Sequence, residues 1–153
     1  SKPWAMTGWR VGYLTCPDYV MDRLLLLSAS EITAVPTFIQ DAAVEALKTD
    51  PAPMREIYRK RRDYVCRRLD EMGLSYPKPE GAFYVFVDIS RFGLNSEEFC
   101  TRMIREGKLA VVPGSCFGAK GYIRLSYCYS DGELQRGLDR LEAFISTLEG
   151  GKT

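Results

Sequence analysis

From about residue 52 onward, helical and strand patterns alternate along the chain, and this order limits the fold more than any other feature. Asp50-Pro51 is typical of a helix start, and apolar residues follow it at helical spacing until Gly73. The sequence then predicts a strand, a helix, two more strands and a final helix. This order predicts a compact α/β layer domain with a sheet of three to four strands.

Capping boxes mark the starts of the two later helices. Asn95 with Glu98 precedes the first of them, and Ser130 with Glu133 precedes the second. Strands are predicted for residues 82–87 and for two segments punctuated by glycine, KLAVVPG and GYIRLSY.

The first fifty residues follow a different pattern. The segment WRVGYLTC is typical of a strand, and helices are predicted for residues 18–28 and 37–48. One strand with two helices leaves both edges of the strand without partners. We therefore interpret this segment as a piece of a larger sheet. We expect the strand to pair with another copy of the chain or to pack its apolar face against a neighbour.

Charge and hydropathy argue against two classes of partner. Lysine and arginine total 21 against 20 aspartates and glutamates, which gives a net charge of +1. Such a balance supplies no general attraction for nucleic acid or for an anionic membrane surface. No apolar run approaches the length of a membrane span, and no signal-peptide pattern is present. We expect a cytoplasmic protein that binds neither nucleic acid nor membrane.

The five cysteines are odd in number and widely spaced, and the sequence contains no histidine. Without a C-x-x-C pair or a histidine, we expect no metal site and no Cys–His or Ser–His catalytic pair. The cysteines are expected to be buried free thiols in a reducing compartment. Acid–base chemistry must then come from lysine, tyrosine, a carboxylate or a cofactor.

The first residues, SKPWAMTGWRVGYL, place an amine and a guanidinium on either side of a turn. A cofactor with an aldehyde and a phosphate needs both groups, since Lys2 could form an imine and Arg10 could bind the anion. This segment resembles the lysine segment of the class I/II aminotransferases, fold-type I enzymes that depend on pyridoxal 5'-phosphate. Three further segments resemble that family in its own order: PTFIQDAAVEAL, PEGAFYVFVDIS and VVPGSCFGAKGYIRLSY.

The resemblance implies roles for three residues. Lys2 matches the catalytic lysine that forms a Schiff base with pyridoxal phosphate, and Arg10 matches the arginine that binds the cofactor phosphate. Arg124 matches the arginine that binds the α-carboxylate of the substrate. From its residue type alone, Arg124 could instead pair with a carboxylate in the core. No metal is implied.

The resemblance also implies that this chain is the C-terminal part of a longer enzyme and starts at the catalytic lysine. Residues 1–51 would be a remnant of the large cofactor-binding domain with the interdomain segment, and residues 52–153 the small C-terminal α/β domain. The intact enzyme would be a homodimer that moves an amino group between an amino acid and a 2-oxo acid. The isolated chain is expected to be inactive. Two alternatives are a pyridoxal-phosphate lyase of the same fold and a non-catalytic isolated domain.

Four residues near these segments are not assigned to the site. Phe83 and Tyr84 are interpreted as core, because an aromatic strand more often packs in a core than lines a substrate pocket. Ser115 and Cys116 follow a Pro-Gly turn and are left without a role.

Overall fold

The structure is a computed structural model, and it describes residues 1–150. The described residues fall into two compact units, Ser1–Glu56 and the part of the chain from Ile57 onward. The helices are α1 (Asp18–Glu31), α2 (Thr37–Leu47), α3 (Ala52–Glu71), α4 (Ser96–Arg105) and α5 (Asp131–Gly150), and the strands are β1 (Tyr84–Asp88), β2 (Val112–Pro113) and β3 (Tyr122–Ser126).

The helices α3, α4 and α5 begin at the predicted capping residues. Asp50 accepts a hydrogen bond from the Ala52 amide at 2.9 Å, and α3 follows. Asn95 accepts one from the Glu98 amide at 2.8 Å, at the start of α4. Before α5, the amide and the hydroxyl of Ser130 both donate to the Glu133 carboxylate. These local interactions confirm the predicted helix starts.

The three strands form an antiparallel sheet in the order β1–β3–β2. The predicted α/β domain with a sheet of three to four strands is thereby confirmed. The segment KLAVVPG contributes only the two-residue strand β2. Along β1, half-buried and buried residues alternate, so that Val85 and Val87 face the core. Tyr84 and Phe86 therefore lie on the opposite face of the sheet.

One hydrophobic core joins α3, α4 and α5 to the buried face of the sheet. Phe99 of α4 lies within it and contacts the Phe144 ring edge-on at 5.3 Å. At the surface, Arg68 of α3 donates to Asp139 and to Glu142 of α5, each at 2.9 Å. The second unit is therefore held by a packed core with ion pairs between its two long helices.

The strand predicted for WRVGYLTC is not formed, and that prediction is wrong for this chain. Residues 11–16 make no backbone–backbone hydrogen bond with any described residue. The side chains of Tyr13 and Leu14 are 93% and 61% exposed, so the packing expected for this segment is not seen within residues 1–150. The physical reason is that a strand needs a neighbouring strand to bond its amides and carbonyls, and no described residue supplies one. The two helices predicted after it are confirmed.

All five cysteines are free thiols, but only Cys66 and Cys100 are buried. Cys16 is half-buried, and Cys116 and Cys128 are exposed, so the expectation of buried thiols was wrong for three of the five. Within residues 1–150, no group of three or more cysteine, aspartate or glutamate side chains is placed to hold a metal ion. Nor is any helix of that range both long and apolar enough to cross a membrane.

Candidate functional site

Arg124 lies in the middle of β3, between the other two strands. It is directly opposite Phe86 of β1 on one side and Val112 of β2 on the other. Because successive residues of a strand point to opposite faces, Arg124 shares its face with Phe86 and Tyr84. Its neighbour Ile123 points into the core. The sheet therefore presents a half-buried arginine on its outer face, among aromatic side chains.

Two aromatic rings lie against the Arg124 guanidinium. Its central carbon is 4.3 Å from the centre of the Tyr84 ring and 4.2 Å from the centre of the Phe117 ring. Phe117 ends the 3-10 turn Gly114–Phe117, and the Phe86 ring contacts it edge-on at 5.7 Å. At these distances the negative faces of the rings attract the cation.

The donor groups of Arg124 are not used inside the described chain. Among residues 1–150, no carboxylate forms an ion pair with Arg124, and its side chain donates no hydrogen bond. The alternative that Arg124 neutralises a core carboxylate is therefore wrong. A guanidinium has five N–H donors, and in its plane it can bind a carboxylate through two parallel hydrogen bonds.

The turn that carries Phe117 is fixed to its surroundings at two points. Ser115 donates a hydrogen bond to the Glu97 carboxylate of α4, which lowers the pKa of Glu97. A Cβ at Gly114 would lie 2.4 Å from the Ala119 carbonyl oxygen, so only glycine fits there without a backbone shift. The position of the Phe117 ring is thus set by α4 and by the loop that precedes β3.

Lys2 and Arg10 lie in the first unit: Lys2 begins the 3-10 turn Lys2–Trp4, and Arg10 directly follows the next 3-10 turn, Thr7–Trp9. Arg10 ends the second turn in the left-handed region, with φ of 53°, and donates to the Thr7 carbonyl at 3.1 Å. Both side chains are exposed, and no described carboxylate forms an ion pair with either. The Lys2 amine and the remaining N–H donors of Arg10 therefore have no partner among the described residues. An amine can form an imine with an aldehyde, and a guanidinium can bind a phosphate.

The structure brings two aromatic residues to Arg124 that the sequence did not assign to the site. The prediction that Tyr84 belongs to the core is wrong, because its ring faces the guanidinium on the outer face of the sheet. Phe83 does pack against the core, in a half-buried position. No sequence motif marks Phe117 as a residue of the site. Strand alternation predicts that Phe83 and Tyr84 point to opposite faces of the sheet. Only the register between β1 and β3 shows that Tyr84 is the one that contacts Arg124.

Comparison with known proteins gives a consistent result. The family model described as aminotransferase class I and II matches residues 1–141. The chain is 44% identical to aromatic-amino-acid aminotransferase 2 of Thermococcus litoralis, over 95% of this chain and 39% of the relative. It is 43% identical to an aspartate aminotransferase of Pyrococcus abyssi, with the same coverage of both proteins.

Solved structures give the same picture. An aromatic aminotransferase from Pyrococcus horikoshii matches with a TM-score of 0.88 at 40% identity, over 97% of this chain and 42% of that one. An aspartate aminotransferase from Thermotoga maritima matches with a TM-score of 0.84 at 37% identity, over 93% of this chain and 37% of that one. The chain thus spans about two fifths of the length of these relatives. With its sequence matched over residues 1–141, the chain belongs to the class I and II aminotransferase family.

Proposed function

We propose that this chain is the C-terminal part of an aminotransferase that moves an amino group between an amino acid and a 2-oxo acid. The observation that carries the proposal is the Arg124 guanidinium, which is half-buried against two rings and has no carboxylate partner among the described residues. Amino acids and 2-oxo acids share one feature, a carboxylate next to the reacting carbon. Arg124 would bind that carboxylate through two hydrogen bonds and fix the position of the carbon beside it.

Lys2 and Arg10 would hold the cofactor, pyridoxal 5'-phosphate, in the intact enzyme. The Lys2 amine would bind the cofactor aldehyde, and the Arg10 guanidinium would bind its phosphate. When bound, pyridoxal phosphate supplies an electron sink for the bonding electrons of the substrate Cα. The Lys2 amine, once released by the incoming amino acid, would take the proton from that Cα. Both side chains are exposed and neither forms an ion pair with a described carboxylate, which supports these assignments.

The remaining proposals concern the whole protein. Residues 1–51 would belong to the large cofactor-binding domain with the interdomain segment, and residues 52–153 would form the small domain. The first unit exposes large apolar side chains, which supports packing against further polypeptide, including a second subunit of a homodimer: Tyr13, Leu14, Tyr19, Leu26, Ile32, Phe38 and Leu47. The chain alone would be inactive, because it spans about two fifths of its relatives. Its five free thiols support a cytoplasmic location.

The choice of amino acid is open between at least two classes. One relative is named for aromatic amino acids and another for aspartate. Every amino acid carries an α-carboxylate, so a residue that binds this group gives no preference for one side chain over another. The role proposed for Arg124 therefore does not decide between aromatic amino acids and aspartate.

Activity assays on the complete polypeptide that contains this chain test the proposal. Amino-group transfer from aspartate and from phenylalanine to a 2-oxo acid would be measured in the wild type and in Lys2→Arg, with Lys48→Arg as control. Lys48 is exposed and pairs with Glu45, so its variant should keep wild-type activity. Lys2→Arg should lose activity by about three orders of magnitude or more. Arginine cannot form the imine, and because it stays protonated it cannot take the proton from the substrate Cα. Wild-type activity in Lys2→Arg would overturn the proposal.

A further inference from the structure

We propose that Tyr84 and Phe117 are positioning residues, which hold the Arg124 guanidinium in one plane with its N–H edge turned outward for a carboxylate. This inference rests on the proposed function, since it concerns how Arg124 is kept ready to bind substrate. It adds two residues that act on the substrate through Arg124 and do not themselves contact the reacting atoms.

The distances explain why rings suit this task. The central carbon of the guanidinium is nearly equidistant from the two rings, at 4.3 Å from Tyr84 and 4.2 Å from Phe117. An aromatic face attracts the flat face of a guanidinium but accepts none of the in-plane hydrogen bonds that a carboxylate needs. An acidic partner would orient Arg124 equally well, yet it would occupy the same donors and compete with the substrate.

Without the rings, the long side chain of Arg124 would have to be ordered by the substrate itself. An arginine side chain carries substantial rotamer entropy, and fixing it before binding removes that cost from the binding step. The two rings come from different elements, β1 and the 3-10 turn Gly114–Phe117. Phe86 supports the Phe117 ring from the side, and Ser115 ties the turn to Glu97. The rings are therefore themselves held by the fold.

The ring of Tyr84, and not its hydroxyl, is the part that would hold Arg124 in place. The hydroxyl makes no hydrogen bond with any described residue, so within residues 1–150 only the ring contributes to the contact with Arg124. Tyr84→Phe keeps the ring and is the matched control for Tyr84→Leu. Phe117→Tyr serves in the same way for Phe117→Leu.

Steady-state kinetics on the complete polypeptide test the inference. In Tyr84→Leu and in Phe117→Leu, KM for the amino acid should rise by about threefold to thirtyfold, the range expected for losing one cation–ring contact. kcat should change little, because the bound substrate still pairs with Arg124. Tyr84→Phe and Phe117→Tyr should keep the wild-type KM. Unchanged KM in both leucine variants, or equal loss in the leucine variants and their aromatic controls, would overturn the inference.

Two further measurements separate positioning from general damage. A primary alkylamine lacks the carboxylate, so its slow reaction with the cofactor-loaded enzyme should be the same in the wild type and in the leucine variants. In an Arg124→Ala background, Tyr84→Leu should cause no further rise in KM, because the group it positions is gone. A leucine variant that slows the amine reaction, or that adds its full effect to Arg124→Ala, contradicts positioning.

Failure of the inference is distinguishable from failure of the proposed function. If Arg124→Ala itself leaves KM unchanged, the carboxylate-binding role of Arg124 is wrong, and the inference falls with it. If Arg124→Ala raises KM by about two orders of magnitude while both leucine variants behave as wild type, only the positioning role is wrong.

Discussion

Ser115 donates a hydrogen bond to Glu97, with 2.5 Å between the hydroxyl oxygen and the nearer carboxylate oxygen. This bond fastens the 3-10 turn Gly114–Phe117 to helix α4, and Phe117 at the end of that turn lies against Arg124. A contact at the surface of the small unit thus supports a residue of the candidate site.

The bond between Ser115 and Glu97 should make stability depend on pH. The hydrogen bond from Ser115 lowers the pKa of Glu97 below its ordinary value of 4.5. A carboxyl whose pKa is lowered by folding stabilises the fold above its unfolded pKa, and this contribution is lost as the pH falls through the lowered value. In urea denaturation of the chain from roughly pH 6 to about pH 3, the wild type should lose more unfolding free energy than Glu97→Gln or Ser115→Ala. If the unfolding free energy changes equally with pH in all three proteins, the bond between Ser115 and Glu97 does not form in solution.

A side chain at Gly114 should destabilise the fold. A Cβ there would lie 2.4 Å from the Ala119 carbonyl oxygen and 2.5 Å from that of Tyr122, and both are backbone atoms. We expect Gly114→Ala to lower the free energy of unfolding by about 1–3 kcal/mol, as overpacking does. In Gly81→Ala the new Cβ meets no atom within 4 Å, so the change should stay within about 0.5 kcal/mol. Similar unfolding midpoints for the two variants would contradict the geometry of this turn.

The core of the second unit should depend on Phe99. Its side chain is 0% exposed and contacts the rings of Phe92 and Phe144. Phe99→Ala should therefore cost about 3–5 kcal/mol of unfolding free energy, from lost burial and the cavity left behind. Ile104 lies on the same helix but is 51% exposed, so Ile104→Ala should cost less than about 1 kcal/mol. Chemical denaturation of both variants checks this difference, and comparable losses would place the core elsewhere.

The parts of the fold that sequence predicts are those decided by neighbouring residues. Asn95 caps α4 because its side chain reaches an amide three residues away, and this depends on nothing distant. The left-handed Gly73 beyond the end of α3 is equally local. Such signals located α3, α4 and α5, whereas α1 and α2, which have no side-chain cap, were predicted from the pattern of their residues.

What the sequence does not reveal depends on contacts between distant segments. Tyr84 meets Arg124 because β1 pairs with β3 in one register, and a shift by one residue would turn Phe83 outward in its place. The strand predicted for residues 9–16 fails for a related reason, since its bonding partners are not among the described residues. The roles given to Lys2, Arg10 and Arg124 come from family resemblance and stay predictions.

Borohydride reduction tests the central claim most directly, namely that Lys2 is the residue that binds pyridoxal phosphate. The complete polypeptide would be incubated with the cofactor, reduced with borohydride and digested, and the added mass would be located by mass spectrometry of the peptides. The 153-residue chain would be treated in parallel. We predict a selective adduct on Lys2 in the complete polypeptide and none above background in the shorter chain. Labelling of Lys2 in the complete polypeptide no greater than that of its other lysines, such as Lys48 or Lys60, would contradict the account.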